Sequence, residues 1–325
     1  MTSTATLRLT LIAPIYNERE NLPELVNRVE AAMAPLAAGS WEFICVDDGS
    51  RDGSDDLLAE LAQTRPWLRP QFLRRNYGQS TAMQAGFDAA RGEVLATLDG
   101  DLQNDPADVP GLLELLDRNP KIDIISGWRK NRQDKAFSRK LPSMIANRLI
   151  SWATGVALHD YGCSLKLYRR EAIRHVKLYG ELHRFIPALA KEYGARVMEA
   201  EVNHYARTRG VSKYGIDRTI RVLLDLMWVK FLLRFLHRPM HAFGGIGIAM
   251  LLPGLAILFW LAFVKLGLGE AIGGRPLLML GVMLSLMGTQ FLGLGILGEM
   301  LTRIWHEPGG KHQYLLRATP DAQDD

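Results

Sequence analysis

The sequence predicts an α/β fold with a mostly parallel sheet, joined to two membrane-spanning helices late in the chain. Three observations carry that prediction. Short, continuous apolar runs alternate with segments of helical periodicity, as strands buried on both faces and their covering helices require. The early runs end in clusters of acidic or amide residues. Two later stretches carry no charge over about one bilayer thickness of helix.

Leu7 to Ile15 reads as the first strand, broken into a loop by Pro14-Ile15-Tyr16-Asn17-Glu18. Asn21 is expected to cap the next helix, with Pro23 in its first turn and Leu25, Val26, Val29 and Met33 at helical spacing. Trp41 to Val46 is the second strand, ending in Asp47-Asp48-Gly49-Ser50, and Leu57, Leu58 and Leu61 mark a second helix. Phe72-Leu73 gives a third strand, Ala82 to Ala90 a third helix, and Val94 to Leu98 a fourth strand opening straight into Asp99-Gly100-Asp101-Leu102-Gln103. Then come a helix from Ala107 to Leu116, a strand from Ile122 to Ser126 and an amphipathic helix around Leu141 to Trp152. Strands at Ser164 to Tyr168 and Val197 to Val202 flank a helix around Phe185 to Ala190.

The chain has 325 residues and 48% hydrophobic content, ample for one large or two medium domains. Its formal charge of +4 hides an uneven distribution: Arg129 to Arg238 hold 23 Lys and Arg against 9 Asp and Glu. That segment must face something negative. It leads into apolar spans and lacks a nucleic-acid reader motif, which favours an anionic membrane surface over nucleic acid. Cys45 and Cys163 lie in apolar runs, the pattern of buried inert thiols and not of a disulfide framework. Met1 to Thr10 lacks the cationic start and long apolar run of a cleaved signal peptide.

The expected domains are 1–213 as the soluble unit, 214–240 as an amphipathic interfacial helix, 241–298 with spans at about 243–264 and 276–298, and a tail at 299–325. The connector from Lys265 to Arg275 is too short for a domain, so the spans form a hairpin with both ends on one side. That side carries the juxtamembrane basic residues plus Arg303, Lys311 and Arg317, and the positive-inside rule makes it cytoplasmic. The expectation is a multi-pass inner (plasma) membrane protein. Glycines around Gly244, Gly245, Gly247 and Gly293, Gly295, Gly298 predict close helix packing, within the hairpin or between subunits of a homo-oligomer.

The chemistry is expected in the loop after the fourth strand. Asp99 and Asp101, with glycine between them, can both turn toward one divalent cation, and Mg²⁺ or Mn²⁺ prefers oxygen ligands. Mg²⁺ is usually held by one or two carboxylates plus substrate phosphates, so this sparse pair points to a diphosphate. Asp-x-Asp is common by chance. Its weight comes from Asn17-Glu18 and Asp47-Asp48, which the alternation places at the same sheet edge, where ligands of open α/β sheets bind. Asp52, Ser54 and Asp105 in these loops fit turn and capping chemistry.

Together these pieces resemble the membrane-anchored polyprenyl-phosphate glycosyltransferases of glycosyltransferase family 2, relatives of dolichol-phosphate mannose synthase, over nearly the whole chain. The resemblance is carried by Ala13-Pro14-Ile15-Tyr16-Asn17-Glu18, Val46-Asp47-Asp48-Gly49-Ser50, Leu98-Asp99-Gly100-Asp101-Leu102-Gln103 and Arg207-x-x-Gly210-x-Ser212-Lys213, in that order before a two-span hairpin. It implies a Rossmann-like GT-A domain that uses Mg²⁺ or Mn²⁺ and moves a sugar, with inversion, from a nucleotide sugar to polyprenyl phosphate at a lipid bilayer. It further implies that Pro14, Tyr16, Glu18 and Asp47 or Asp48 hold the nucleotide, and that Asp99, Asp101 and Gln103 bind metal and diphosphate. Arg129, Arg139, Ser143 and Arg207 match positions along the lipid phosphate's path, with Lys213 beside them, and Asp160 matches an acidic position proposed as a base. Glu181-Leu182-His183-Arg184-Phe185 looks more like the bacterial members, and His183 reads as an ordinary partly buried histidine.

A lipid monophosphate with a second pKa of about 6 is a dianion at neutral pH, so no strong base is needed. Orienting Arg207 or Lys213 suits Asp160 equally well. What two anionic substrates need is positive charge, and forked arginine fits phosphate better than lysine does. Arg129, Arg132, Arg139 and Arg148 also fit a solvated basic face against lipid headgroups. UDP-glucose is the expected donor and GDP-mannose the alternative; UDP-linked uronic acid, galactose and amino sugars stay open, because sugar selectivity rests on a few loop contacts. A processive polysaccharide synthase would need a Gln-x-x-Arg-Trp motif and more spans, and a non-catalytic nucleotide-sugar scaffold is opposed by intact Asp99, Asp101 and Gln103.

Overall fold

The computed structural model describes residues 7–130, 150–151, 154–178, 180–205 and 239–306. The chain divides into two compact units, one up to residue 229 and one from residue 230 on. In the first, the strands are β1 (Leu9–Ile15), β2 (Trp41–Asp47), β3 (Leu68–Phe72), β4 (Val94–Thr97), β5 (Ile124–Trp128), β6 (Lys166–Arg169) and β7 (Val197–Glu201). They form one sheet in the order β3-β2-β1-β4-β6-β5-β7. Every pairing is parallel except those of β6, which runs against both β4 and β5. The sheet is therefore mostly parallel with one reversed strand.

Register decides what meets at the edge. Ile15 pairs with Asp47, so β1 and β2 end together, and Thr97 at the end of β4 pairs with Ile12, so the loop from residue 98 runs beside the last residues of β1. Thr97 and Ser126 both pair with Lys166, which puts the start of the reversed strand beside the ends of β4 and β5. Residues 98–105, 129 and 160–165 converge there from distant parts of the sequence.

The helices are α1 (Leu22–Met33), α2 (Ser54–Gln63), α3 (Gln79–Ala89), α4 (Asp108–Arg118), α5 (Arg170–Ile173) and, after a 3-10 turn at Leu182–Phe185, α6 (Ile186–Glu192). Helix α1 buries Leu22, Leu25, Val26, Val29 and Met33 completely, at roughly 1.5–3 kcal/mol for each such side chain. On the opposite sheet face α3 lies so close to β1 that a Cβ added at Gly86 would sit 2.4 Å from Ile12 Cγ2. Cys45 and Cys163 are buried free thiols, and burial pushes both thiol pKa values up.

Several expectations shift. Asn21 stands at the N-cap of α1 but makes no capping bond, because its helical φ/ψ turns the side chain away; its Nδ2 donates to Glu18 Oε2 at 2.6 Å. Strand β3 begins at Leu68 and contains Pro70, which an outermost strand tolerates. Helix α3 begins at Gln79, ahead of the expected Ala82. The amphipathic helix expected around Leu141 to Trp152, apart from Ile150 and Ser151, and the interfacial helix expected at 214–240, apart from its end at Pro239 and Met240, lie outside the described residues.

In the second unit α7 (Pro239–Gly267) and α8 (Pro276–His306) pack as an antiparallel hairpin, and both are long and apolar enough to cross a membrane. A Cβ at Gly254 would meet Ser285 N at 2.7 Å, and one at Gly288 would meet Gly247 O at 2.7 Å. Missing side chains let the two backbones touch. Gly245 and Gly293 have no atom within 4 Å of an added Cβ, so they take no part in this contact.

Candidate active site

Where β1, β2 and β4 end lies a cleft of about 190 Å³ lined by Pro14, Ile15, Tyr16, Glu18, Asp48, Asn76, Gly78, Gln79, Asp99, Gly100 and Asp101. Pro14, Tyr16, Glu18, Asp48, Asp99 and Asp101, singled out in the sequence, thus share one cavity. Its walls are stitched across the strand ends: Asp48 N–H donates to the Ile15 carbonyl at 2.8 Å, Asn17 N–H to Ser50 Oγ at 2.9 Å, and Arg51 N–H to Asn17 Oδ1 at 2.8 Å. Gly49 has φ +68°, and a Cβ there would lie 2.4 Å from the Arg75 carbonyl carbon, so the bend requires glycine.

Asp48 accepts Tyr77 N–H on one oxygen at 2.7 Å and Gly78 N–H on the other at 2.8 Å, pinning the turn that opens α3. Burial pushes its pKa up, those two bonds oppose the rise, and neighbouring Asp47 adds to it. Asp47 is buried beside the cleft without lining it; Oδ2 accepts Ser50 N–H at 3.1 Å, and Oδ1 is buried without a hydrogen-bond partner among the described residues. Asp52 and Asp105 do serve turns, accepting Ser54 N–H at 3.1 Å and Ala107 N–H at 3.0 Å.

Asp99 accepts Gln79 Nε2 at 2.9 Å and, on its other oxygen, the Ser164 hydroxyl. Asp101 is buried and accepts Gln103 N–H at 3.2 Å. Leu102 between them has φ +62°, a left-handed conformation costing roughly 1–2 kcal/mol for a residue with a side chain. That bend folds Gln103 N–H back onto Asp101. The Gln103 carbonyl accepts Tyr205 N–H at 3.0 Å, which ties the acidic loop to the segment preceding Arg207, but Gln103 does not line the cleft.

Burial, then repulsion from Asp101, pushes the Asp99 pKa up; Ser164, Arg129 and Lys166 oppose this. Like charges held together in a buried cleft are relieved by a cation, and two hard oxygen donors suit Mg²⁺ or Mn²⁺. No group of three or more His, Cys, Asp or Glu able to hold a metal occurs among the described residues.

Arg129 and Asp160 form a two-pronged pair beside this loop, Nε to Oδ2 at 2.7 Å and Nη2 to Oδ1 at 3.0 Å, with side chains 9% and 10% exposed. Gly162 N–H also donates to Asp160 Oδ1, at 3.1 Å. Burial alone would lower the Arg129 pKa, but the bond and attraction to Asp160 outweigh it and raise it, so the guanidinium stays charged. Arg139, Ser143, Arg207 and Lys213 lie outside the described residues.

Sequence reading missed Gln79, Ser164 and Lys166. Gln79 follows Asn76-Tyr77-Gly78, a polar cluster at a strand end that resembles the other three. Lys166 is a lone cation in the apolar run Leu165 to Tyr168, a visible signal. It is 3% exposed, and Nζ donates to the Cys163 carbonyl and, at 3.5 Å, to the Tyr161 carbonyl. His183 is buried; its backbone N–H donates to Ser80 Oγ at 3.2 Å, and that hydroxyl is hydrogen-bonded to His183 Nδ1 at 2.8 Å. Burial, then Arg184 and Lys166, lower its pKa to about 3, so it is neutral.

The profile described as Glycosyl transferase family 2 matches residues 10–177. A dodecaprenyl-phosphate galacturonate synthase from Rhizobium johnstonii is 48% identical over 326 aligned residues, covering 98% of this chain and 94% of that protein. An undecaprenyl-phosphate 4-deoxy-4-formamido-L-arabinose transferase from Pseudomonas aeruginosa is 36% identical, covering 97% and 92%. Among solved structures, glucosyl-3-phosphoglycerate synthase from Mycobacterium tuberculosis, in complex with Mn²⁺, UDP and phosphoglyceric acid, aligns at a TM-score of 0.53 and 15% identity over 70% of this chain and 79% of that one. That likeness establishes a GT-A fold.

Proposed function

The chain belongs to glycosyl transferase family 2, and from that premise we propose that it transfers galacturonate from a nucleoside diphosphate sugar to polyprenyl phosphate, giving polyprenyl-phosphate galacturonate. The observation that carries this is the 48% identity, over nearly the full length of both chains, to a dodecaprenyl-phosphate galacturonate synthase. Galacturonate takes the place of the glucose expected from the sequence alone.

Asp99 and Asp101, with Gln103 beside them, would hold Mg²⁺ or Mn²⁺, which supplies Lewis-acid stabilisation to the departing diphosphate. Tyr16, Glu18 and Asp48 flank the nucleotide, and the orphaned Asp47 Oδ1 is an acceptor available to its base or ribose. An oxygen of the acceptor phosphate attacks the anomeric carbon as the bond to the diphosphate breaks in line, inverting that centre. The acceptor is already a dianion, so no side chain has to remove a proton. Arg129 stays charged and, with Arg139 and Arg207, draws the acceptor phosphate toward the donor. Both oxygens of Asp160 are committed to Arg129 and Gly162, so Asp160 orients the guanidinium and is not a base.

In this reading helices α7 and α8, long and apolar enough to cross a membrane, span the inner membrane, and the basic excess flanking them supports a cytoplasmic catalytic domain. The test gives purified enzyme polyprenyl phosphate, Mn²⁺ and labelled nucleotide sugars carrying galacturonate, glucose, mannose or 4-deoxy-4-formamido-L-arabinose. Label from galacturonate should enter the organic phase at least about tenfold faster than any other, a discrimination of about 1.4 kcal/mol. Preference for another sugar would refute the donor assignment, and transfer without polyprenyl phosphate would refute the acceptor.

A further inference from the structure

Lys166 has no part in the mechanism above, yet its placement is costly. An ammonium taken out of water loses several kcal/mol of hydration, and among the described residues the hydrogen bonds of this one go to backbone carbonyls, not to a carboxylate. Those carbonyls belong to Tyr161 and Cys163, on either side of Gly162. The turn they form is bounded by two functional side chains: Asp160, gripping Arg129 through two bonds, and Ser164, donating to Asp99. Lys166 itself pairs across the ladder with Thr97, the last residue of β4, two residues before Asp99. One buried ammonium thus ties the strand carrying the donor-side acid to the turn carrying the acceptor-side pair.

We propose that Lys166 is a positioning residue for glycosyl transfer, its ammonium closing the Tyr161–Cys163 turn so that Ser164 stays on Asp99 and Asp160 stays on Arg129. This rests on the reading of the cleft as the donor site. The role is geometric: without the ammonium two buried carbonyls lose their donor, the turn relaxes, and the acid and arginine sides lose their common frame.

The test uses the full chain in lipid nanodiscs and compares the parent with Lys166→Met, Ser164→Ala and the double variant. Mn²⁺ binding in the presence of UDP is read by electron paramagnetic resonance, beside kcat and KM. Lys166→Met should raise half-saturating Mn²⁺ about tenfold and lower kcat about 100-fold, the loss that a displacement near 1 Å produces, with donor KM within about threefold of the parent. Ser164→Ala should cost about fivefold in kcat in the parent but less than about twofold in the Lys166→Met background, because contacting residues acting through one turn are not additive. Lys166→Arg, which keeps donors to both carbonyls, should recover at least about a third of parental kcat. Mn²⁺ binding and kcat within about twofold of the parent in folded Lys166→Met, or effects that multiply independently, would overturn the proposal. If Lys166→Met does not fold, Lys166→Gln takes its place in the same cycle and is judged by the same non-additivity. A parent that binds no Mn²⁺ with UDP would instead sink the donor-site reading, and this inference with it.

Discussion

Asp160→Leu separates an orienting acid from a catalytic base. The Arg129–Asp160 pair is held at 2.7 and 3.0 Å with both side chains about nine-tenths buried. At about 3 Å and an effective dielectric of 20 the gross attraction is on the order of 5 kcal/mol, most of it offset by desolvation. Removing only the acid leaves an uncompensated buried guanidinium, which costs about 3–5 kcal/mol, whereas replacing both partners with apolar groups is close to neutral. Denaturant unfolding in detergent, followed by tryptophan fluorescence, should show Asp160→Leu destabilised by about 3–5 kcal/mol and Arg129→Met/Asp160→Leu within about 1 kcal/mol of the parent. Transfer should be lost in both, since one misplaces and the other lacks Arg129, the arginine proposed to draw in the acceptor phosphate. In Asp160→Asn the residual rate should be flat from about pH 7 to 9, where the acceptor stays a dianion. A residual rate that climbs with hydroxide, or a loss below about 1 kcal/mol in Asp160→Leu, would refute the orienting role.

Asp101→Asn should lower transfer by about 10³-fold or more while the fold survives, because it removes half of the paired charge available to a cation; circular dichroism and the organic-phase assay check both halves. Glu42 lies at the start of β2, away from the cleft. Burial alone would raise its pKa, but bonds from Arg91, Arg69 and Thr10 outweigh that and hold it below the ordinary 4.5. A depressed folded pKa means the stabilisation is complete above about pH 4.5 and is lost as pH falls through the lower folded value. Glu42→Gln should therefore cost about 2 kcal/mol at pH 7 and flatten acid unfolding below pH 5, with kcat unchanged. Gly288→Leu should push α7 and α8 apart, since even a Cβ would lie 2.6 Å from Leu251 N, and lower the thermal midpoint of the detergent-solubilised protein by several degrees, as about 1–3 kcal/mol of overpacking implies.

Much of the catalytic edge was legible because parallel strands deliver their carboxyl ends to one side, so polar clusters after apolar runs locate it without contacts. Asp99, Asp101 and Asp48 could be found that way. The reversed strand β6 could not: nothing local in residues 164–169 encodes direction, so Ser164 and Lys166 gained their place beside Asp99 only from the ladder with Thr97. The Arg129–Asp160 pair was half legible, each residue flagged for a different task while their mutual bonds depend on that same reversal. Asn21 failed as a cap for a local reason, its backbone already being helical. Gly245 and Gly293 look like packing glycines in composition, but the hairpin's contact face selects Gly247, Gly254, Gly281 and Gly288.

Metal and donor binding at the Asp99–Asp101 pair is tested most directly by anomalous diffraction from crystals grown with Mn²⁺ and a non-transferable nucleotide sugar. A manganese peak is expected between the diphosphate and the Asp99–Asp101 pair, with Arg129 on the same side of the sheet. A peak elsewhere, or a nucleotide bound away from the ends of β1, β2 and β4, would contradict it.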